Sequence, residues 1–423
     1  MRCTLTWAAG RGTLALLVAL VAGVAVPATG QEDTVMRWQI GTPIVTYWAG
    51  PAMTDAFADQ LIEGGWNLAW CTADTLDVLQ RHGLRGLLHD PLLRPESLDG
   101  GEKQAQLDAL IERVRSHPAL YAYHMRDEPN ASVFPEWGRL VAYLREQDPA
   151  HLAYINLFPI YANNEQLGTQ GDPITAYREH LRQYMEIVAP DLISYDHYHF
   201  AIDDKDRGQY FLNLAMIRQT ALDAGVPFLN IVQACTWSPS MRIPGPDEMR
   251  FLVYTTLAYG AQGISYYVYC HPNHEGAIAN ADGTTTPKYD ALSVLNREFV
   301  AIASELQPLQ SLGVHHLGML PDGCVPLPED SPFRVDPPVP PAEYTPPEKV
   351  KGLVLSTFGR DDRATHVVVV NLDYLAGATT TVVGPGPLEV FDAHSGQWSA
   401  SPDGERATVT LEPGGGRLLR VSE

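Results

Sequence analysis

Apolar positions along this chain change texture near Leu312. Before it, short apolar runs alternate with stretches of helical period. The runs are residues 43–48, 66–71, 84–89, 119–125, 153–158, 192–198, 227–233 and 263–269. Each is rich in apolar, β-branched or aromatic residues, which predicts parallel strands buried on both faces. Between them, residues 104–115 set Leu107, Leu110, Ile111 and Val114 on one helical face, and residues 177–188 do the same with Tyr177, Leu181, Tyr184 and Ile187. Turns such as Glu63-Gly64-Gly65, His82-Gly83 and Tyr259-Gly260 stand just before the next strand. Eight strand–helix alternations predict an α/β fold, a (β/α)8 TIM barrel from about residue 40 to 312. An open doubly wound sheet would also alternate, but no glycine-rich phosphate fingerprint follows the first strand.

Beyond Leu312 the pattern becomes short and β-rich. Residues 321–347 are proline-dense around Pro337-Pro338-Val339-Pro340-Pro341, which reads as an extended connector. Strand-like runs follow at 352–358, 365–372, 379–383, 388–391 and 407–411, with residues 315–320 a further candidate. Gly384-Pro385-Gly386 separates two of them, and Pro413-Gly414-Gly415-Gly416 follows the last. This spacing predicts a C-terminal antiparallel β-sandwich over 313–423, the proline-rich segment included.

The first thirty residues read as a signal peptide: Arg2 and Arg11, an apolar run from Leu14 to Val26, then the small residues Ala28-Thr29-Gly30. The expectation is an exported protein, secreted or periplasmic, with no membrane attachment after cleavage. Removing that segment takes away two positive charges and no acid, moving the net charge from −21 to −23. No basic patch is visible, so nucleic acid is excluded as a partner. Cys71, Cys235, Cys270 and Cys324 remain; a Cys235–Cys270 bridge and unpaired thiols are both open. No metal site or cofactor is expected. His271, His274 and Glu275 match no strong ligand spacing, and Asp203-Asp204-Lys205-Asp206 reads as a charged loop because Lys205 and Arg207 occupy calcium-ligand positions.

Candidate chemistry gathers where the strands end. The fourth run finishes in Arg126-Asp127-Glu128-Pro129, and proline cannot continue a central strand, so both acids sit at its carboxyl end. In a TIM barrel that end is the face that carries catalysis. The neighbouring ends bring Tyr47, His89, Asn156, Asp196, Tyr198, Gln233, Trp237 and Tyr269 toward the same mouth. Aromatic faces stack on sugar rings, and amides, imidazoles and carboxylates pair with sugar hydroxyls.

This order resembles the barrel of clan A glycoside hydrolases, closest in texture to the family 42 β-galactosidase-like proteins. Asp127-Glu128-Pro129 resembles the clan's Asn-Glu-Pro motif, and the stretch from Leu257 to Tyr267 resembles its approach to the eighth strand. The resemblance implies a glycosidase acting on a poly- or oligosaccharide, with Glu128 as general acid/base, and the signal peptide makes it an exported one. It also shows a departure: the strand-seven nucleophile is missing, and Gln233 stands there. An amide cannot form the glycosyl ester of a retaining enzyme. Three accounts follow. Asp196 supplies the second carboxylate, with Asp127 as electrostatic or orienting partner and a wide Glu128–Asp196 spacing that suits inversion. Or Asp127 orients a substrate acetamido group while Glu128 protonates the leaving oxygen, as in substrate-assisted N-acetylhexosaminidases. Or the protein is a non-catalytic carbohydrate-binding protein on a glycosidase scaffold. Tyr47, His89, Asn156, Tyr198, Gln233, Trp237 and Tyr269 are the expected sugar contacts.

Overall fold

The computed structural model describes residues 37–203 and 205–422; the expected signal peptide lies outside the described residues. Eight parallel strands form the barrel: β1 (Ile44–Trp48), β2 (Leu68–Cys71), β3 (Arg85–His89), β4 (Leu120–Asp127), β5 (Leu152–Leu157), β6 (Ile193–His197), β7 (Phe228–Gln233) and β8 (Gly263–Tyr267). Helices α1 (Asp55–Glu63), α2 (Leu76–His82), α3 (Gly101–Val114), α4 (Phe134–Gln147), α5 (Asn164–Leu167), α6 (Pro173–Gln183), α7 (Tyr210–Ala224), α8 (Pro246–Ala258) and α9 (Pro287–Leu306) lie between and after them. The ladder runs β1-β8-β7-β6-β5-β4-β3-β2. Hydrogen bonds from Asn67 and Trp70 help close its seam. Asn67 donates its backbone N–H to Val45 O at 3.1 Å and its amide to Pro43 O at 2.9 Å, while Trp70 Nε1 donates to Tyr47 O at 2.7 Å.

Alternation along the strands decides what each residue faces. Ile44, Leu68, Leu87, Leu229 and Ile231 cluster inside the barrel, with Trp48, Trp70 and Tyr267 against them. Val45, Tyr47, Ala69 and Ile264 instead join the layer between barrel and helices. One helical expectation fails in part: Ile187 is exposed and Val188 takes the buried position. The last turn after α6 widens to i→i+5 bonding over Tyr184–Val188, which shifts the phase of the face.

The C-terminal region forms two antiparallel sheets. One has the order β10 (Arg334–Asp336), β13 (Ala378–Val383), β16 (Arg406–Leu411). The other is β15 (Gln397–Ala400), β14 (Leu388–Asp392), β17 (Gly416–Val421), β12 (Arg363–Asn371), β11 (Gly352–Arg360), β9 (Gln310–Gly318). Val335, Val382 and Val409 of the first pack on Leu355, Val367, Val369 and Leu419 of the second. The opposite face of the six-stranded sheet presents Val354, Val368, Val370 and Leu418 to the core shared with Phe251, Tyr254 and Phe299 of α8 and α9. That double burial explains the unbroken Val367-Val368-Val369-Val370 run, where a half-exposed strand would alternate. The proline-rich segment is more than a connector, since β10 forms within it, and β17 follows the glycine run expected to end the sheet.

Cys71, Cys235, Cys270 and Cys324 are all unpaired, so the Cys235–Cys270 bridge is absent. No helix among the described residues is long and apolar enough to cross a membrane.

Candidate active site

Asp127 faces the barrel mouth because β4 slips by one residue. His124 pairs with Tyr154 and Arg126 with Ile155, leaving Met125 as the extra residue of a bulge. Without it, alternation from His124 would turn Asp127 outward. With it, Asp127 lies beside Asn156, whose Nδ2 donates to Asp127 Oδ1 at 3.1 Å and to Asp196 Oδ1 at 2.9 Å. Asn156 is held in this orientation by Ser194 Oγ, which donates to its Oδ1 at 3.0 Å, and Tyr154 OH stands 2.7 Å from the same Oγ.

Glu128 then takes φ +43°, a left-handed conformation that a β-substituted side chain adopts at a cost, while its N–H still reaches Asn156 O at 2.8 Å. This turn brings its carboxyl within hydrogen-bonding reach of Asp196. Asp196 is 2 % exposed, and its Oδ2 finds no N–H or O–H among the described residues. Two carboxyls in contact cannot both ionise readily, so the pair keeps at least one proton through neutral pH. Burial, then the charge of Asp127, raises Glu128 to about 7, with the hydrogen bond to Asp196 acting against them. Burial and the neighbouring Glu128 and Asp127 charges raise Asp196 well above the carboxylate range, opposed by Asn156. The hydrogen bond makes Asp196 the tighter holder of its proton and leaves Glu128 the first of the two to ionise. The wide spacing expected from sequence is therefore corrected. Although β4 and β6 are not neighbours, Asn156 of the strand between them holds both acids, Asp196 through its side-chain amide and Glu128 through its backbone carbonyl.

Two aromatic walls flank the acids. Trp48, Trp70, His89 and His124 form one, with ring centroids 5.1 Å apart for Trp48–Trp70 and 4.5 Å for Trp70–His124. Tyr198, Trp237 and Tyr267 form the other, Trp237 lying 4.6 Å from each tyrosine, and His274 stacks on Trp237 at 5.9 Å. His124 was missed as a site residue; Trp48, Trp70 and Tyr267 stand at the strand ends that the sequence brings to the pocket, and period-two alternation from Ile44 and Leu68 marks Trp48 and Trp70 as inward.

Three expected sugar contacts are corrected. Tyr47 and Tyr269 point outward, packing on each other at 5.1 Å and on Phe57 of α1, and Tyr269 OH donates to Gln60 Oε1 at 2.7 Å. Gln233 has no exposed surface. Its Nε2 donates to Arg242 O at 2.7 Å and Phe200 O at 3.2 Å, and its Oε1 accepts from Phe200 N at 2.9 Å. It ties the loops after β6 and β7 together and has no capacity left for a ligand. Gln233→Glu would set a carboxyl against those carbonyl oxygens, at an expected cost of about 3 kcal/mol in a urea unfolding experiment. The charged loop is also corrected in part. Asp206 is buried, accepting from Tyr374 OH at 2.7 Å with Arg242 Nη2 at 3.4 Å, while Lys205 keeps Asp203 company at the surface.

Among the described residues, no group of three or more His, Cys, Asp or Glu is arranged to hold a metal ion. A hollow of about 900 Å³ lies at the opposite end of the barrel, beside Arg37, Trp38, Gln262 and Gln307, away from the acids.

No protein-family model matches the chain, and no curated protein matches its sequence. Solved structures resemble it in fold. A β-galactosidase from the psychrophilic Marinomonas ef1 aligns at 12 % identity and TM-score 0.46, over 66 % of this chain and 62 % of that one. A 4-O-α-L-rhamnosyl-β-D-glucuronidase from Fusarium oxysporum aligns at 11 % and 0.46, over 90 % and 97 %. A glycoside hydrolase family 30 subfamily 8 xylanase from Clostridium acetobutylicum aligns at 11 % and 0.41, over 89 % and 94 %.

Proposed function

We propose that this protein is an exported glycoside hydrolase whose general acid/base is Glu128. The observation that supports this reading is the Glu128–Asp196 contact: two carboxyls side by side at the strand ends of a barrel, between aromatic walls. Glu128 is the member that reaches the cleft, whereas Asp196 is buried and serves as its proton partner. On this reading, Glu128 gives its proton to the glycosidic oxygen as the C–O bond breaks, while Asp196 keeps its own and donates to the carboxylate that forms. Water later adds its hydroxyl to the anomeric carbon and returns a proton to Glu128.

Attack at the anomeric carbon needs a nucleophile on the far side of that bond. Asp196 is covered, Gln233 is tied to backbone, and Asp127 adjoins Glu128 in the chain, on the same side of the mouth. These placements favour the substrate-assisted account, in which the sugar's own acetamido oxygen attacks while Asp127, fixed by Asn156, orients the amide N–H. Two successive inversions then give net retention. The test is a panel of aryl glycosides with and without a 2-acetamido group, read by anomer-resolved NMR. Cleavage confined to acetamido sugars with retained configuration is expected. Inverted product, or equal cleavage of sugars lacking the acetamido group, would overturn that account. Glycan affinity with no turnover would favour the carbohydrate-binding reading.

A further inference from the structure

We propose that His124, with Trp48 and Trp70, forms the floor of the sugar-ring subsite and reads a ring hydroxyl; this rests on the carbohydrate reading above. His124 is 9 % exposed, and neither ring nitrogen has a hydrogen-bond partner among the described residues. A buried polar group without a partner is costly, and a neutral imidazole carries one N–H donor and one lone pair, the two functions a hydroxyl can meet at once.

The surroundings suit a pyranose. Trp70 lies 4.5 Å from the His124 ring, Trp48 5.5 Å, Tyr154 5.9 Å and His89 6.0 Å. Trp48 and Trp70 meet edge to face and are each half-buried, so part of their surface opens to the cleft. An apolar sugar face stacking there would be desolvated against carbon, while a hydroxyl at its edge would meet the imidazole. Position adds to this. His124 pairs in register with His89 and Tyr154, inward-facing residues of the neighbouring strands, and stands three residues before Asp127 on the same strand. The Tyr154–Ser194–Asn156 chain that fixes the acids runs beside it. A ring whose scissile oxygen meets Glu128 would thus extend its far hydroxyls toward His124. Burial keeps the ring neutral, lowering its pKa to about 3 with help from His89.

The test is a titration of ¹⁵N-histidine-labelled full chain with N-acetyl-D-glucosamine, N-acetyl-D-galactosamine, D-glucose and D-galactose, following the His124 nitrogens and tryptophan fluorescence. At least one sugar is expected to shift a His124 nitrogen and the fluorescence together. His124→Phe, which keeps the ring and removes both nitrogens, should weaken that sugar about tenfold or more, and His124→Gln should recover part of the loss. If no sugar moves a His124 nitrogen, the assignment is overturned; the wild-type titration decides this even where His124→Phe fails to fold. Equal affinity of a folded His124→Phe variant would overturn it as well. Sugar binding at His124 without turnover would leave the subsite standing and remove the hydrolase reading. Turnover with His124 unperturbed would do the reverse.

Discussion

Glu128→Gln is expected to slow glycoside cleavage by about 10²- to 10⁴-fold, the range that a positioned general acid contributes, with the fold unchanged. The amide keeps the side chain's size and its carbonyl oxygen can still accept from Asp196, but it cannot deliver a proton. Stability should move in the opposite direction at alkaline pH. Glu128 is raised from 4.5 to about 7, so the fold favours its neutral form. That contribution is complete below the unfolded value of 4.5 and fades as pH climbs through about 7, where a charge is forced into the pair. Glu128→Gln should therefore be more resistant to urea than wild type at pH 8 and gain less at pH 5. A variant that lost activity and stability together at pH 8 would point to a structural role.

The second large effect is expected at Asp206→Ala, a loss of about 3–5 kcal/mol in chemical unfolding. Asp206 lies on the loop after β6 with its side chain buried, and it is gripped from two directions. Tyr374, in the connection after β12, donates to Oδ2 at 2.7 Å, while His199 Nε2 stands 3.5 Å from Oδ2 and Arg242 Nη2 3.4 Å from Oδ1. Burial alone would raise its pKa, but His199, Tyr374 and Arg242 together outweigh it and hold the carboxyl below 3.8. This stabilisation is present above 3.8 and lost as pH falls through the lower folded value, so the gap between wild type and Asp206→Ala should close in acid. Tyr374→Phe should show a smaller loss of about 1.5–3 kcal/mol, the worth of a hydrogen bond to a charged group. The same loop carries Phe200, which Gln233 holds, and so the C-terminal sheet steadies the wall bearing Tyr198 and Trp237.

The barrel was legible because its eight strands are short apolar runs spaced by helical stretches, and each observed strand overlaps its expected run. The acids were legible because Pro129 stops β4 directly after them. Side-chain direction was harder. Tyr47 and Trp48 are equally aromatic, and the parity set by Ile44 sends Trp48 inward and Tyr47 toward α1. Asp127 shows the reverse difficulty, since the bulge at Met125 inverts the parity that sequence would assign it. Gln233 looked like a failed nucleophile, yet its amide clamps two loops through contacts far apart in sequence. The Glu128–Asp196 contact depends on a positive φ at a non-glycine residue, which no local pattern announces.

The most direct test of the account is the pH dependence of kcat/KM on a cleaved aryl glycoside, for wild type and Asp127→Asn. The Glu128 proton should give a basic limb near pH 7, falling about tenfold per unit above it. The Asp127 charge raises Glu128, so Asp127→Asn should move that limb to lower pH. A wild-type profile flat through pH 7, a limb that stays in place in Asp127→Asn, or no cleavage across the panel would contradict it.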